Sequence, residues 1–377
     1  MKKRVMIVIG TRPEAIKMAP VVKACQAREE LDVKVCVTAQ HRQMLDQVMD
    51  IFKLKADYDL NVMSSNQTLA DVTCKVLKGM EEVFNSWKPD IVLVQGDTTT
   101  VMAAALAAFY QKIEVGHVEA GLRTGNIYSP WPEEMNRLIA GNLATMHFAP
   151  TSRSKQNLLQ ENKDPKKVFI TGNTVIDALF DAVELIENNK ELKEELSKQF
   201  SFLNPQKRLV LVTGHRRENF GEGFIHICNA IKRIASREDV QVVYPMHMNP
   251  NVRKPVNEIL GNLSNVFLIE PLDYLSFIHV MRQSYIILTD SGGVQEEAPS
   301  LGKPVIVMRD TTERPEAVDA GTVILAGTEM ESIASSAEKL LDDTEFYHKM
   351  AHSINPYGDG LAAKRIAELV AIGETSI

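Results

Sequence analysis

Short apolar segments rich in β-branched residues alternate with helix-forming segments along most of this 377-residue chain. In the first half, the pattern predicts strands at residues 4–9, 33–38, 91–94, 113–118, 146–149 and 168–170. In the second half, it predicts strands at 209–213, 240–244, 266–269, 285–289, 305–307 and 322–325. Such alternation is typical of parallel sheets covered by helices on both faces. We therefore predict an α/β protein with two Rossmann-like, doubly wound domains that face a central cleft.

Residues 181–207 interrupt this alternation. The segment 184–198 is rich in Glu and Lys and has few apolar positions, which predicts one solvated helix near a domain boundary. The predicted domains are therefore 1–185 and 205–359. The last helical segment, 360–377, has no strand after it and is expected to pack back onto the first domain.

Composition excludes several classes of function. A net charge of −7 argues against a general nucleic-acid binder, which needs a broad basic face. No apolar run approaches about 18 residues, so no membrane span is expected. The basic first residues precede an apolar run that stops at Gly10, too short for a signal peptide.

The four cysteines lack metal-ligand spacing. We therefore expect them to be buried free thiols in a reducing, cytoplasmic compartment.

The motifs of common cofactor sites and hydrolases are missing from the sequence. No GxGxxG follows the first predicted strand, and no GxxxxGK[ST] occurs, so neither a nicotinamide dinucleotide nor P-loop chemistry is indicated. No GxSxG sequence of a nucleophile elbow occurs either. We expect no cofactor and no metal.

A glycine-rich turn, Asp290-Ser291-Gly292-Gly293, connects a predicted strand to a short predicted helix at 294–300. Glycines let the backbone approach a ligand closely, and N–H groups at a helix start point toward a phosphate. Glu297 could accept hydrogen bonds from ribose hydroxyls, as acidic residues do in other nucleotide folds. The alternative is a turn that only connects the strand to the helix.

Polar residues follow the predicted strands in both halves of the chain. Arg12, Asp97 and Glu119 follow strands in the first half, and His215 and Ser291 follow strands in the second. Because ligands of doubly wound sheets bind at the carboxyl ends of the strands, this placement favours an enzyme with a cleft.

Three carboxylates lie at successive junctions between elements. Asp97 could instead be a helix N-cap, Glu119 could form an ion pair with Arg123, and Glu133 could complement a helix dipole. Acid/base chemistry, however, needs such groups gathered at one crevice. Their positions together therefore favour catalytic roles.

Cationic candidates accompany these carboxylates. Arg12 and Lys17 lie at the start of the first helix, and His215 with Arg216 or Arg217 follows a strand in the second half. The alternative for each is ordinary surface solvation. His247 lies in a predicted loop, where a histidine without a function in ligand binding is an equally good interpretation.

Seven motifs, in order, resemble those of the non-hydrolysing bacterial UDP-N-acetylglucosamine 2-epimerases. The resemblance runs from Arg4 to about Arg365 and rests on GTRPE (10–14), QGDT (95–98), GHVEAGLRT (116–124), PEE (132–134), HRREN (215–219), DSGGVQEE (290–297) and DTTERPE (310–316). It implies two Rossmann-like domains of the glycosyltransferase B type, usually as a homodimer. It also implies interconversion of UDP-GlcNAc and UDP-ManNAc without metal or nicotinamide, supplying ManNAc for cell-surface polysaccharide.

The resemblance also implies roles for individual residues. The first domain would carry the acid/base carboxylates, and the second would bind UDP. The catalytic group is Asp97, Glu119, Glu133, His215 and Lys17. The UDP-binding group is Arg12, His215, Phe277, Ser291, Gly292, Gly293 and Glu297. A second UDP-GlcNAc would act as an allosteric activator near Gln43, Gln47, Arg217, His247 and Arg314, although Asn66 stands where many relatives carry Arg.

Three alternatives share parts of this pattern. Hydrolysing epimerases release free ManNAc and UDP, but typically show Gly-Asp-Arg where this chain has Gly96-Asp97-Thr98. A glycosyltransferase of the same fold would need an acceptor groove and fewer carboxylates. A non-catalytic UDP-sugar sensor would gain nothing from three carboxylates beside a diphosphate.

Overall fold

The computed structural model of the chain describes residues 2–38, 42–64 and 66–372, and the side chains of all of these except residues 42–44. The chain divides into two compact units. The N-terminal unit comprises Met1–Ala178 and Tyr357–Ile377, and the C-terminal unit comprises Leu179–Pro356.

The N-terminal unit contains a seven-stranded parallel sheet in the order β3-β2-β1-β4-β5-β6-β7. Its strands are β1 (Lys3–Ile9), β2 (Leu31–Val37), β3 (Tyr58–Asp59), β4 (Ile91–Gln95), β5 (Glu114–Val118), β6 (Met146–Ala149) and β7 (Val168–Ile170). Its helices are α1 (Arg12–Gln26), α2 (Arg42–Ile51), α3 (Leu69–Ser86), α4 (Thr99–Tyr110), α5 (Glu133–Leu143), α6 (Ser152–Gln160), the first residues of α7 (Thr174–Asn188), and α16 (Ala362–Ile372).

The C-terminal unit contains a six-stranded parallel sheet in the order β10-β9-β8-β11-β12-β13. Its strands are β8 (Arg208–Thr213), β9 (Val240–Pro245), β10 (Val266–Ile269), β11 (Ile286–Thr289), β12 (Val305–Val307) and β13 (Val323–Leu325). Its helices are the rest of α7, α8 (Lys190–Gln199), α9 (Glu222–Ala235), α10 (Pro250–Leu260), α11 (Tyr274–Gln283), α12 (Gly292–Glu297), α13 (Pro315–Asp319), α14 (Met330–Asp342) and α15 (Thr344–Ala351).

Local sequence explains where these elements begin. The central strands are mostly apolar, and residues 5–9 of β1 and all of β4 are buried, because helices cover both sides of a parallel sheet. Helix α3 begins with a capping box, in which the Thr68 and Asp71 side chains each accept from the other's backbone N–H. These local signals agree with the predicted fold class, which the structure confirms as α/β with two Rossmann-like sheets.

The prediction of one helix over 184–198 is wrong. Helix α7 ends at Asn188 and α8 begins at Lys190. The Asn189 side chain accepts from Leu192 N at 3.1 Å, so this residue starts a new helix as an N-cap. The helix predicted at 294–300 is also shifted: α12 covers Gly292–Glu297, and a 3₁₀ turn follows at Ala298–Leu301.

Helix α16 lies in the N-terminal unit, although it follows the C-terminal unit in sequence. It packs against α1. The Asp177 carboxylate, on α7, accepts from Ala363 N at 2.8 Å and from Ala362 N at 3.2 Å. Asp177 thus satisfies two backbone N–H groups at the start of α16, which otherwise have no helical partner.

The structure bears on two expectations from composition, the burial of the cysteines and the membrane span. Cys25, Cys36 and Cys228 are buried free thiols as predicted, but Cys74 is exposed on α3, so the prediction is wrong for that residue. Within residues 2–38, 42–64 and 66–372, no helix has both the length and the apolar composition of a membrane span.

Candidate active site

The candidate residues cluster where the chain order of each sheet reverses. In the N-terminal unit, β1 pairs with β4, and Arg12 and Asp97 follow these two strands. In the C-terminal unit, β8 pairs with β11, and His215 and Ser291 follow them. Ligands of doubly wound sheets bind at such switch points, outside the carboxyl ends of the strands. The sheet order therefore places one candidate half-site on each unit.

Glu119 is a buried carboxylate of the N-terminal half-site that accepts from three side chains. It follows β5 and is 7% exposed. Its Oε1 accepts from Lys17 Nζ at 2.6 Å and from Asn173 Nδ2 at 3.0 Å. Its Oε2 accepts from the Gln95 amide. These donors compensate the buried charge and hold the carboxylate in one orientation.

The backbone at Glu119 is unusual for a residue with a side chain. Its φ of 63° lies in the left-handed region, which a non-glycine residue rarely adopts. Residues in such conformations concentrate at functional sites. The alternative ion pair with Arg123 is absent, because Arg123 donates to both carboxylate oxygens of Glu161, at 2.6 and 2.8 Å.

Asp97 follows β4, the neighbour of β5. Its Oδ2 is paired with the Arg137 guanidinium, whose Nη1 also donates to Glu134 at 2.9 Å. The Asp97 carboxylate remains 28% exposed. The alternative role of Asp97 as a helix N-cap is wrong, since Thr98 caps α4 by accepting from Val101 N.

A buried histidine supports the turn that carries Asp97. His117 Nε2 lies 2.7 Å from the Gly96 carbonyl oxygen, which can only accept, so this nitrogen carries the proton. Burial lowers the pKa of His117 to about 4, and the ring is neutral at pH 7. Gly96 adopts a φ of 81°, which suits a residue without Cβ.

Arg12 and Glu133 are differently placed. Arg12 opens α1 and Glu133 opens α5, and both side chains are half-buried. Among the described residues, neither side chain has a hydrogen bond or an ion pair. The adjacent Glu134 is buried instead and accepts from Thr124 N and Gly125 N, both at 3.0 Å. The structure therefore assigns Glu134 to the loop and leaves Glu133 accessible to a ligand.

Glu14 belongs to this half-site but was not predicted. Its Oε2 accepts from Gly10 N at 2.6 Å and its Oε1 from Thr11 Oγ1 at 3.0 Å. Burial raises the pKa of Glu14 to about 7, against the effect of these hydrogen bonds, and the charge of Asp97 raises it further. The signal was present in the GTRPE motif, but a lone Glu in a first helical turn usually serves the helix dipole.

The C-terminal half-site is built around the turn after β8. His215 N donates to Asp290 Oδ2 at 2.8 Å, and Arg216 N donates to the same atom at 2.7 Å. The His215 and His247 rings stack, with centroids 5.2 Å apart and planes at 11°. Burial lowers the pKa of His215, while the Asp290 charge opposes that change.

The glycine-rich turn leads into α12, with Ser291 at the N-cap position. Arg314 lies against this turn, since a Cβ at Gly292 would be 2.5 Å from its Nη1. The guanidinium is fixed by Glu296, which accepts from Arg314 Nε at 2.6 Å. Gly292 and Gly293 thus bring backbone N–H groups and one guanidinium to the same place. This chemistry suits an anionic ligand.

Glu297 and Phe277 complete the predicted UDP group. Glu297 closes α12, is 8% exposed, and lies 3.5 Å from the Tyr274 hydroxyl through its Oε1. A Cβ at Gly293 would be 3.7 Å from Glu297 Oε2, so this carboxylate borders the glycine turn. Phe277 is half-buried on α11.

The candidates for a second nucleotide site are more scattered. Gln47 is exposed on α2, and Arg217 is exposed in a 3₁₀ turn at Arg217–Asn219. Asn66 has a φ of 58°. The Gln43 side chain lies outside the described side chains. Within the described part of this set, the His247 ring stacks on His215, and Arg314 lies against Gly292.

Comparisons with known proteins identify the family of the chain. Residues 23–371 match the sequence profile of the UDP-N-acetylglucosamine 2-epimerase family. A UDP-N-acetylglucosamine 2-epimerase of Campylobacter jejuni is 56% identical over 381 residues, covering 100% of this chain and 99% of the relative. A UDP-GlcNAc 2-epimerase from Neisseria meningitidis, crystallised with UDP-GlcNAc, is 54% identical with a TM-score of 0.90, covering 97% of this chain and 98% of that chain. The Methanocaldococcus jannaschii enzyme, in complex with UDP-GlcNAc and UDP, is 34% identical with a TM-score of 0.80, covering 98% and 100%. The chain therefore belongs to the UDP-N-acetylglucosamine 2-epimerase family.

Proposed function

We propose that this chain interconverts UDP-GlcNAc and UDP-ManNAc by reversible epimerisation at carbon 2, eliminating UDP and adding it back rather than hydrolysing it. The observation that carries this proposal is the placement of Asp97 and Glu119 at the ends of two paired strands, each held by a cation. Two oriented carboxylates are what proton removal and proton return at one carbon require. The relatives crystallised with UDP-GlcNAc support the same substrate.

The chemistry explains why elimination is needed. Carbon 2 of the sugar has no adjacent carbonyl, so its proton is not acidic enough for direct removal. Loss of that proton together with departure of UDP from carbon 1 gives 2-acetamidoglucal, in which carbon 2 is planar. A proton delivered to the opposite face and return of UDP to carbon 1 then give the epimer. No metal or nicotinamide takes part in this sequence.

The residues of the N-terminal unit are assigned to the sugar. Asp97, Glu119 and Glu133 carry out proton transfer. Lys17 Nζ lies 2.6 Å from Glu119 Oε1 and holds this carboxylate in one orientation for proton transfer. Arg12, half-buried and without a described protein partner, contributes positive charge for the departing diphosphate.

The residues of the C-terminal unit are assigned to UDP. His215 and the backbone of Ser291–Gly293 hold the diphosphate, and Glu297 accepts from the ribose hydroxyls. Phe277 borders the nucleotide. The Arg314 guanidinium beside Gly292 adds charge at the turn, which supports a role in phosphate binding in addition to the predicted allosteric one.

We further propose that a second UDP-GlcNAc activates the enzyme near His247, Arg217 and Gln47. The stacking of His247 on His215 is the support, since a ligand at one ring would change the environment of the other. A cytoplasmic homodimer that supplies ManNAc for surface polysaccharide completes the proposal.

Proton NMR of the protein with UDP-GlcNAc in heavy water tests the reaction. We expect UDP-ManNAc that carries deuterium at carbon 2, with almost no free UDP. The variant Glu119→Gln should lose this conversion, whereas Glu114→Gln, at the opposite end of β5, should retain it.

The other outcomes identify the alternatives. Accumulation of free ManNAc and UDP would assign the chain to the hydrolysing branch. An unchanged sugar in the presence of bound UDP-GlcNAc would indicate a glycosyltransferase without its acceptor, or a sensor.

A further inference from the structure

Asp290 is a buried residue of the C-terminal half-site, at the end of the sheet where two paired strands stop. It follows β11, which pairs with β8 so that Thr289 lies beside Thr213. The side chain has no exposed surface. A charged group in such a position requires compensation from its surroundings.

One Asp290 oxygen fixes the turn after β8. Its Oδ2 accepts from His215 N and from Arg216 N, at 2.8 and 2.7 Å. From the other side, the Tyr244 hydroxyl on β9 donates to the Gly214 carbonyl at 2.8 Å. The turn is therefore held by both strands that neighbour β8.

The second Asp290 oxygen is directed at the His215 ring. Among the described residues, Oδ1 has no hydrogen-bond partner, although it is buried. It lies 3.8 Å from His215 Nδ1. A buried carboxylate oxygen without a donor is uncommon in native proteins, and a small rotation of the ring would provide one.

We propose that Asp290 is the positioning residue of His215: it fixes the backbone of the turn and orients the ring, so that Nδ1 faces the carboxylate and Nε2 faces the substrate diphosphate. This inference rests on the proposed binding of UDP by His215. When the diphosphate binds, the imidazolium lies between two anions, donating from Nδ1 to Asp290 and from Nε2 to a phosphate oxygen. No covalent bond changes.

The groups around the ring agree with this role. Burial lowers the pKa of His215, His247 and Arg216 lower it as well, and Asp290 alone among these groups raises it. Removing the Asp290 charge would therefore make the protonated ring harder to form. Binding of the diphosphate would then weaken as the pH rises, because it requires that proton.

Histidine titration by NMR in the ligand-free protein is the primary test, since it does not depend on UDP. In Asp290→Asn we expect the titration midpoint of His215 to move to lower pH than in the wild type. The control Asp343→Asn removes a carboxylate that also accepts a backbone N–H, at the start of α15, and should leave that midpoint unchanged. An unchanged midpoint in folded Asp290→Asn would overturn the inference.

Calorimetric titration with UDP tests the functional consequence. We expect Asp290→Asn to bind UDP roughly tenfold more weakly at pH 7, with a larger difference at higher pH. In a His215→Ala background, Asp290→Asn should have little further effect, because its effect passes through the ring. An equal loss in both backgrounds would show a merely structural role. Absence of UDP binding by the wild type would refute the proposed function, and the histidine titration would still decide the role of Asp290.

A measurement on the wild type covers the case in which Asp290→Asn does not fold. In the complex with UDP, ¹⁵N chemical shifts of His215 should show both ring nitrogens protonated. A neutral ring in the complex would refute the proposal.

Discussion

Lys17 Nζ lies 2.6 Å from Glu119 Oε1, and the two residues are 102 positions apart in sequence. Both side chains are largely buried, at 15% and 5% exposure. The ion pair joins the first turns of α1 to the end of β5. It therefore fixes the orientation of the carboxylate that we assign to proton transfer.

Replacement of Lys17 tests this relationship. Lys17→Met leaves a buried carboxylate without its cation, so we expect the N-terminal unit to lose roughly 3 kcal/mol of unfolding free energy, together with most of the activity. Urea denaturation followed by tryptophan fluorescence measures the stability, since Trp87 and Trp131 both lie in that unit. Lys3→Met breaks a 4.0 Å contact with Glu114 at the other end of β5 and should cost less than about 1 kcal/mol. Equal losses in the two variants would contradict the assignment.

The acid/base assignment predicts that replacing a catalytic carboxylate lowers turnover but leaves UDP binding unchanged. Asp97→Asn and Glu119→Gln should each lower turnover by about 10³-fold, because the neutral amides cannot transfer the proton. The affinity for UDP should remain near the wild-type value, as measured by calorimetry. Asp90→Asn, at the start of β4, is the matched control and should retain activity. Retained turnover in both catalytic variants would refute the roles.

His215→Ala should weaken both UDP binding and turnover, because the ring is assigned to the diphosphate. We expect a loss of affinity of about tenfold or more, measured by calorimetry with UDP alone. His348→Ala, on α15, provides a control for the loss of an exposed histidine. Unchanged affinity in His215→Ala would refute the phosphate role.

Glu14 should make the stability of the N-terminal unit depend on pH. Its pKa is raised from 4.5 to about 7 by burial, so the folded state keeps a proton that the unfolded state has released. The resulting stability is complete below pH 4.5 and is lost as the pH rises to about 7, by roughly 3 kcal/mol in total.

Comparison with Glu14→Gln isolates this contribution. The amide mimics the protonated carboxyl, with its oxygen accepting from Gly10 N and its NH₂ donating to Thr11 Oγ1. The contributions of the buried histidines cancel in the difference between the two proteins. Urea denaturation at intervals from pH 4.5 to 8 should show the wild type losing stability relative to the variant. A difference that does not change with pH would refute the raised pKa.

Sequence patterns located most elements because buried parallel strands are apolar and short. The strands predicted at 146–149, 168–170, 266–269 and 305–307 are confirmed with the same limits. The helix break at Asn189 was missed, although an Asn before a charged helical segment is a typical N-cap. Family membership is confirmed by comparison with known proteins.

The partners of the site residues could not be predicted in the same way. Asp290 contacts the turn at His215 because β11 pairs with β8, and strand order is a tertiary property. Asn173 reaches Glu119 from the segment after β7, 54 positions away. Periodicity and turn residues indicate where strands end, but they do not specify which ends are neighbours.

The hydrogen bonds from Ala362 and Ala363 to Asp177 also constrain the order of events during synthesis on the ribosome. The C-terminal unit is continuous in sequence, whereas the N-terminal unit includes α16, which emerges after the C-terminal unit. Domains usually fold as units in the order of their synthesis. Here the unit that begins the chain is completed only after the other unit has emerged, so a nascent chain stalled before α16 would expose the surface of α1 that this helix covers.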